Sequence, residues 1–120
     1  MPHLVLEYTA NLAGQVDHRA LFGKLHATMM ASGEFRQEEI KSRAVRLDDY
    51  YIGNGDPENA FVHLKVSMLD KRGDVAMQRI AQSLLPVLED GYRQAFETHK
   101  CQICVEAVGM QTDCYFKVVA

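Results

Sequence analysis

The 120-residue sequence predicts a single α/β (α+β) domain, residues 1–120. In it, two β-α-β units, about residues 2–55 and 60–110, form one four-stranded sheet with both helices on one face. Three observations lead there. A short β-forming segment opens each half of the chain. A stretch with apolar residues at helical spacing follows each of these segments. The two halves begin about sixty residues apart, half the chain length, so one unit is repeated.

The first strand is expected over His3–Tyr8, where Leu4, Leu6 and Tyr8 share a face. Turn-forming residues run from Thr9 through Asn11 to Gly14. Asp17 then caps a helix carrying Leu21, Phe22, Leu25 and Met29, with Gly33 as its stop. A second strand is read over Arg43–Ile52, ended by Gly53, Asn54, Gly55 and Asp56. The second unit opens with a strand at Ala60–Leu69, followed by a turn at Lys71-Arg72-Gly73 and a capping Asp74. In its helix, Ile80, Leu84, Leu88, Tyr92 and Phe96 recur every fourth residue, and Pro86 predicts a kink or break. Gln102–Val108 is the closing strand, and the Met29-Met30 pair reads as core packing.

Composition narrows the function classes. Hydrophobic residues make up 48% and charged residues 24%, the balance of a globular chain. The net charge of −3, without a Lys/Arg stripe, argues against nucleic-acid binding. No apolar run approaches the roughly 20 residues needed to span a bilayer, and no secretory leader is visible. Three cysteines, an odd number, fit a reducing compartment rather than a disulfide framework, so a cytoplasmic location is expected.

A strand–helix–strand unit forms a parallel pair by a right-handed crossover. With both helices on one side, the other sheet face is uncovered and partly apolar, with several Val, Leu and Tyr among its candidates. That predicts a homo-oligomer. The alternative on these observations is a ferredoxin-like monomer.

The ordered residues resemble the tautomerase superfamily, and within it the 5-carboxymethyl-2-hydroxymuconate isomerases. The resemblance is carried by Pro2-His3 with Glu7, Leu21-Phe22 with Lys24, and Gly33 with Phe35. It continues through Ile40, Ser42-Arg43 and Asp48, then Ala60-Phe61-Val62-His63, Arg72 and Arg79, and fades after Gly109. It implies a homotrimer, in which uncovered sheet faces meet around a three-fold axis. It also implies a cofactor-independent isomerase acting on small unsaturated 2-hydroxy or 2-oxo dicarboxylates. 5-Carboxymethyl-2-hydroxymuconate is the expected substrate, in aromatic catabolism. The alternatives are a tautomerase with another substrate, such as phenylpyruvate, and a non-catalytic tautomerase-like or ferredoxin-like binding module.

The resemblance gives Pro2 the role of general base. An N-terminal proline is a secondary amine, and burial near cations lowers its proton affinity toward neutrality. The role requires loss of Met1, because the Met1–Pro2 amide nitrogen is not basic. Arg72 is the candidate for holding a substrate carboxylate, since a guanidinium fork matches a carboxylate and helix-start N–H groups favour an anion. Smaller family members carry the matching arginine after the first strand, where this chain has Leu12-Ala13. Arg43 and Lys41 are further substrate-binding candidates. The family often has Arg-Ser-Arg here, and Lys41 keeps the charge without the planar fork.

Other signals point to structure. Cys101 and Cys104, with His99 nearby, invite a metal reading, but three residues apart on a strand they face opposite ways. Asp48-Asp49 alternates likewise, and His63 shares a face with Phe61 and Lys65. No Gly-rich phosphate loop or Gly-x-Ser-x-Gly elbow is present. The Tyr115-Phe116 tail fits either closure over a site or addition to a neighbour's sheet.

Overall fold

Two parallel strand pairs meet back to back at the centre of the fold. The computed structural model describes residues 1–120. The elements are β1 (His3–Thr9), α1 (His18–Ala31), β2 (Lys41–Leu47), β3 (Asn59–Leu69), α2 (Asp74–Gly91), α3 (Arg93–Thr98) and β4 (Lys100–Met110). They form one four-stranded sheet in the order β2-β1-β3-β4. β1 runs parallel to β2 and β3 parallel to β4, while β1 and β3 pair antiparallel. Each half is therefore a β-α-β unit, as the duplicated pattern predicts.

Alternation puts the core on one side of the sheet. Leu4 and Leu6 of β1 and Ala60, Val62, Leu64, Val66 and Met68 of β3 are buried. They pack with Leu21, Leu25 and Met29 of α1 and Ile80, Leu84 and Leu88 of α2. Each such leucine contributes about 1.5–3 kcal/mol of transfer free energy on burial. The opposite face carries no helix. It holds Val5, Val45, Phe61 and Val108, interleaved with Glu7, Arg43, His63, Lys65 and Glu106. Tyr8 packs on the helix side, on the face it shares with Leu4 and Leu6.

Local chemistry sets the element ends. The Asp17 carboxylate accepts hydrogen bonds from the Arg19 and Ala20 N–H groups and caps α1. Gly33, with φ of +78°, follows the α1 cap and takes the left-handed conformation that stops a helix. Asp74 does not cap α2: Gly73 holds the cap position, and Asp74 is the first helical residue. Its charge still suits the positive end of the helix dipole.

Several boundaries differ from the expectation. β2 spans Lys41–Leu47 rather than Arg43–Ile52, because its sole neighbour β1 ends at Thr9, the partner of Leu47. β4 runs the full Lys100–Met110, since β3 offers an equally long partner. α2 continues through Pro86, and the break falls at Tyr92, between α2 and α3. Gly91 marks that place: a Cβ there would lie 2.8 Å from Leu21 Cδ1, so a larger residue would have to push that side chain aside. After the break the buried position passes from Phe96, which is exposed, to Ala95. The methionine pair divides too, with Met29 buried and Met30 exposed.

Candidate active site

Pro2 immediately precedes β1 and is buried, on the same face as Leu4 and Leu6. Its carbonyl accepts the Lys41 N–H at 3.1 Å, which ties the start of β1 to the start of β2. The antiparallel register pairs His3 with Ser67, so the chain enters β1 beside the exit of β3. Arg72 closes the 3-10 turn Asp70–Arg72 that follows β3 directly. The topology thus brings Pro2 and Arg72 to one end of the sheet from opposite halves of the sequence.

The Arg72 side chain is mostly buried, with 18% of its surface exposed. Its guanidinium carbon lies 4.2 Å from the centroid of the Phe35 ring, a cation–π stack. One terminal nitrogen donates to the Glu34 carbonyl at 3.4 Å, and the Glu34 carboxylate stands 3.8 Å from the other. The buried Nε–H has no acceptor within the protein. A buried unpaired donor is costly, and one that belongs to a planar cation suits an anionic ligand.

Lys41 and Arg43 lie at the same end but on the open face, because they alternate with Ser42. Ser42 points to the helices and meets His26 at 2.7 Å. Lys41 Nζ donates to the Glu39 carbonyl at 2.9 Å. Arg43 Nη1 is 3.3 Å from His3 Nδ1, and His3 Nε2 is 3.0 Å from the Tyr115 hydroxyl. A guanidinium can only donate, so Nδ1 accepts and Nε2 carries the imidazole proton toward Tyr115. Burial, then the Arg43 and Lys41 charges, hold His3 below the usual histidine pKa. The four expected site residues are therefore gathered at one end of the sheet but divided between its two faces.

Glu39, unremarked in the sequence, is the acidic hub of this end. It accepts from the Met1 amine at 3.4 Å and from Arg36 at 3.0 Å, and Lys117 Nζ lies 4.0 Å away. The Arg36 hydrogen bond, and next the N-terminal charge, lower its pKa to about 2. The amine itself is lowered by burial, against the opposing pull of Glu39. Through Tyr115 and Lys117 the tail returns to its own chain at this end, and it forms no strand. Glu39 and Glu34 sit in turns, where no periodicity marks them, and His3 and Tyr115 were singled out without the contact between them. Phe35 was visible as part of a motif, without its stacking role.

The remaining residues singled out in the sequence lie elsewhere. Cys101 packs against the core while Cys104 is exposed, as strand alternation requires. His63 and Glu106 pair at 3.1 Å on the open face. Asp48 lies just beyond β2 and accepts from Arg46 at 2.8 Å. Open grooves run beside α2 and β4, in the loop between β2 and β3, between α1 and α2, and beside α1 and β2; Pro2 borders none of these. No helix is long and apolar enough to cross a membrane.

Comparison with known proteins identifies the family of the chain. The family described as 5-carboxymethyl-2-hydroxymuconate isomerase matches residues 2–119. The 5-carboxymethyl-2-hydroxymuconate Delta-isomerase of Escherichia coli is 24% identical over 117 residues, covering 98% of this chain and 93% of that protein. The crystal structure of a 5-carboxymethyl-2-hydroxymuconate isomerase from Deinococcus radiodurans R1 superposes with a TM-score of 0.88 at 28% identity. That match covers 98% of this chain and 88% of the other. A fused 4-OT wild type symmetric trimer shares the fold at 13% identity, with a TM-score of 0.67 over 94% of this chain and 91% of that one.

Proposed function

The chain belongs to the 5-carboxymethyl-2-hydroxymuconate isomerase family and is an isomerase of the tautomerase type, and on that premise we propose that it isomerises 5-carboxymethyl-2-hydroxymuconate with Pro2 as general base. Loss of Met1 converts the Pro2 nitrogen from an amide into a secondary amine. That amine takes a proton from the enolic or activated position of the conjugated substrate. It returns the proton to another carbon of the same system, so the double bonds shift and the composition is unchanged. Burial disfavours the ammonium form and keeps the base available near neutral pH.

Arg72 holds one substrate carboxylate and draws electron density toward it. The observation that carries this reading is the buried, acceptor-free Nε of Arg72 at the same end of the sheet as buried Pro2. Its stack on Phe35 orients the guanidinium plane, so binding a carboxylate requires little further ordering. Arg43 and Lys41 are placed for a second anionic group presented at the open face.

The working form is a homotrimer located in the cytoplasm. The helix-free sheet face supports assembly, and a neighbouring copy seated on it would complete the pocket. The relative described as a symmetric trimer shares this fold.

The test compares wild-type and Pro2→Ala protein, each shown by intact mass to lack Met1. Decay of the dienol is followed by ultraviolet absorbance. A loss of roughly a hundredfold with the fold intact is expected for removal of a positioned general base. Equal activity in both proteins overturns the Pro2 mechanism. Inactivity of both shifts the assignment to another substrate, such as phenylpyruvate, or to binding alone.

A further inference from the structure

Three cations converge on Glu39: the N-terminal amine at 3.4 Å, Arg36 at 3.0 Å and, at 4.0 Å, Lys117 from the tail. The side chain is about three-quarters covered, with 25% exposed. Its two oxygens divide the work, Oε1 facing Arg36 and Lys117 while Oε2 faces the amine. Glu39 ends the short 3-10 turn Gln37–Glu39, and the following backbone is pinned to Pro2 through the Lys41 N–H. The carboxylate is therefore held beside the N-terminus by the same hydrogen bond that starts the β1–β2 pair.

We propose that Glu39 is a positioning residue for the N-terminal amine, pairing with the Pro2 ammonium formed in each turnover and setting the pH at which that amine is free. The inference rests on Pro2 being the base. Removal of Met1 retracts the amine by one residue, at most about 3.6 Å along the chain. A turn of the Glu39 side chain toward Pro2, with a water between the two groups, would restore the pairing. The charged groups facing the Met1 amine, one residue from the Pro2 nitrogen, are Glu39, Lys41, Lys117 and His3. Glu39 is the one anion among them, so it alone opposes the cations and the burial that favour the neutral amine. Without it the amine would shed its proton at lower pH, and the ammonium would lose its fixed orientation.

The experiment uses Met1-free protein labelled with 15N-proline, in wild-type, Glu39→Gln and Glu39→Asp forms. The Pro2 amine is titrated by NMR, and the acid limb of kcat/KM is recorded in parallel. Both are expected to move about half to one pH unit lower in Glu39→Gln, with Glu39→Asp close to wild type. The Gln variant retains an acceptor for Arg36, so near-ultraviolet circular dichroism should be unchanged. An NMR titration identical in wild type and Glu39→Gln overturns the role of Glu39. A fully active Pro2→Ala protein overturns the base assignment instead, because the NMR titration reports the Glu39 contact without reference to turnover.

Discussion

Leu12 and Arg72 occupy the same place in the two halves of the molecule. Each is the third residue of a 3-10 turn that follows the first strand of its unit. Leu12 is buried in the core, whereas Arg72 carries its guanidinium onto Phe35. The duplication built two equivalent corners, one filled with hydrocarbon and the other with a cation. With Pro2 at the head of the first unit, base and anion site come from different halves and meet only through the β1–β3 pairing.

Replacing Arg72 by Ala is expected to raise KM for a dicarboxylate by roughly 10- to 100-fold, the worth of a charge-assisted hydrogen bond of about 1.5–3 kcal/mol. Arg72→Lys should recover only part of the loss, because an ammonium cannot lie flat on Phe35 and present a fork. Steady-state kinetics on both variants decides this. A KM unchanged in Arg72→Ala would remove the residue from substrate binding.

Gly91→Ala should destabilise the fold by about 0.5–2 kcal/mol, the overpacking outweighing the roughly 1 kcal/mol that alanine gains over glycine in a helix. The added methyl would meet Leu21 Cδ1 at 2.8 Å, where α1 packs against the end of α2. Urea unfolding measures the cost, and Leu21→Val in the same chain should return part of it by vacating the contact. Equal midpoints for wild type and Gly91→Ala would show that the helices can separate freely there.

Stability should fall between about pH 7 and pH 5.5 through His18 and His26, with His3 acting in the same direction. Burial lowers the pKa of both in the folded state, against Asp17 in the case of His18. As pH drops through the ordinary histidine pKa of about 6.5, the unfolded chain takes up protons before the native one does, so unfolding gains. The carboxylates with lowered pKa, Glu39 and Asp56, act only at more acid pH. Urea midpoints at pH 7.5 and 5.5 should differ less in His26→Gln than in wild type. An equal difference in both would place the pH dependence elsewhere.

Much of the architecture was legible because it repeats simple periods. The twofold alternation of Leu4 and Leu6, the spacing of Ile80, Leu84 and Leu88, and the Asp17 cap each follow from local geometry that a strand or helix imposes. The misplaced boundaries share one cause: an element's length depends on its partner. β2 stops at Leu47 because β1 stops at Thr9, and β4 runs to Met110 because β3 offers a partner of equal length.

The candidate site divides the same way. Pro2, Arg72, Arg43 and Lys41 were identifiable as residue types in order along the chain, since a secondary amine and guanidinium forks have recognisable chemistry wherever they fall. Their distribution over two sheet faces, the Phe35 stack, the His3–Tyr115 contact and the gathering of three cations on Glu39 join residues up to 112 positions apart in the chain. Local sequence determined which elements form and which side chains can do chemistry. Which of those side chains face one another was decided by strand register, because a shift of a single residue exchanges the two faces of a sheet.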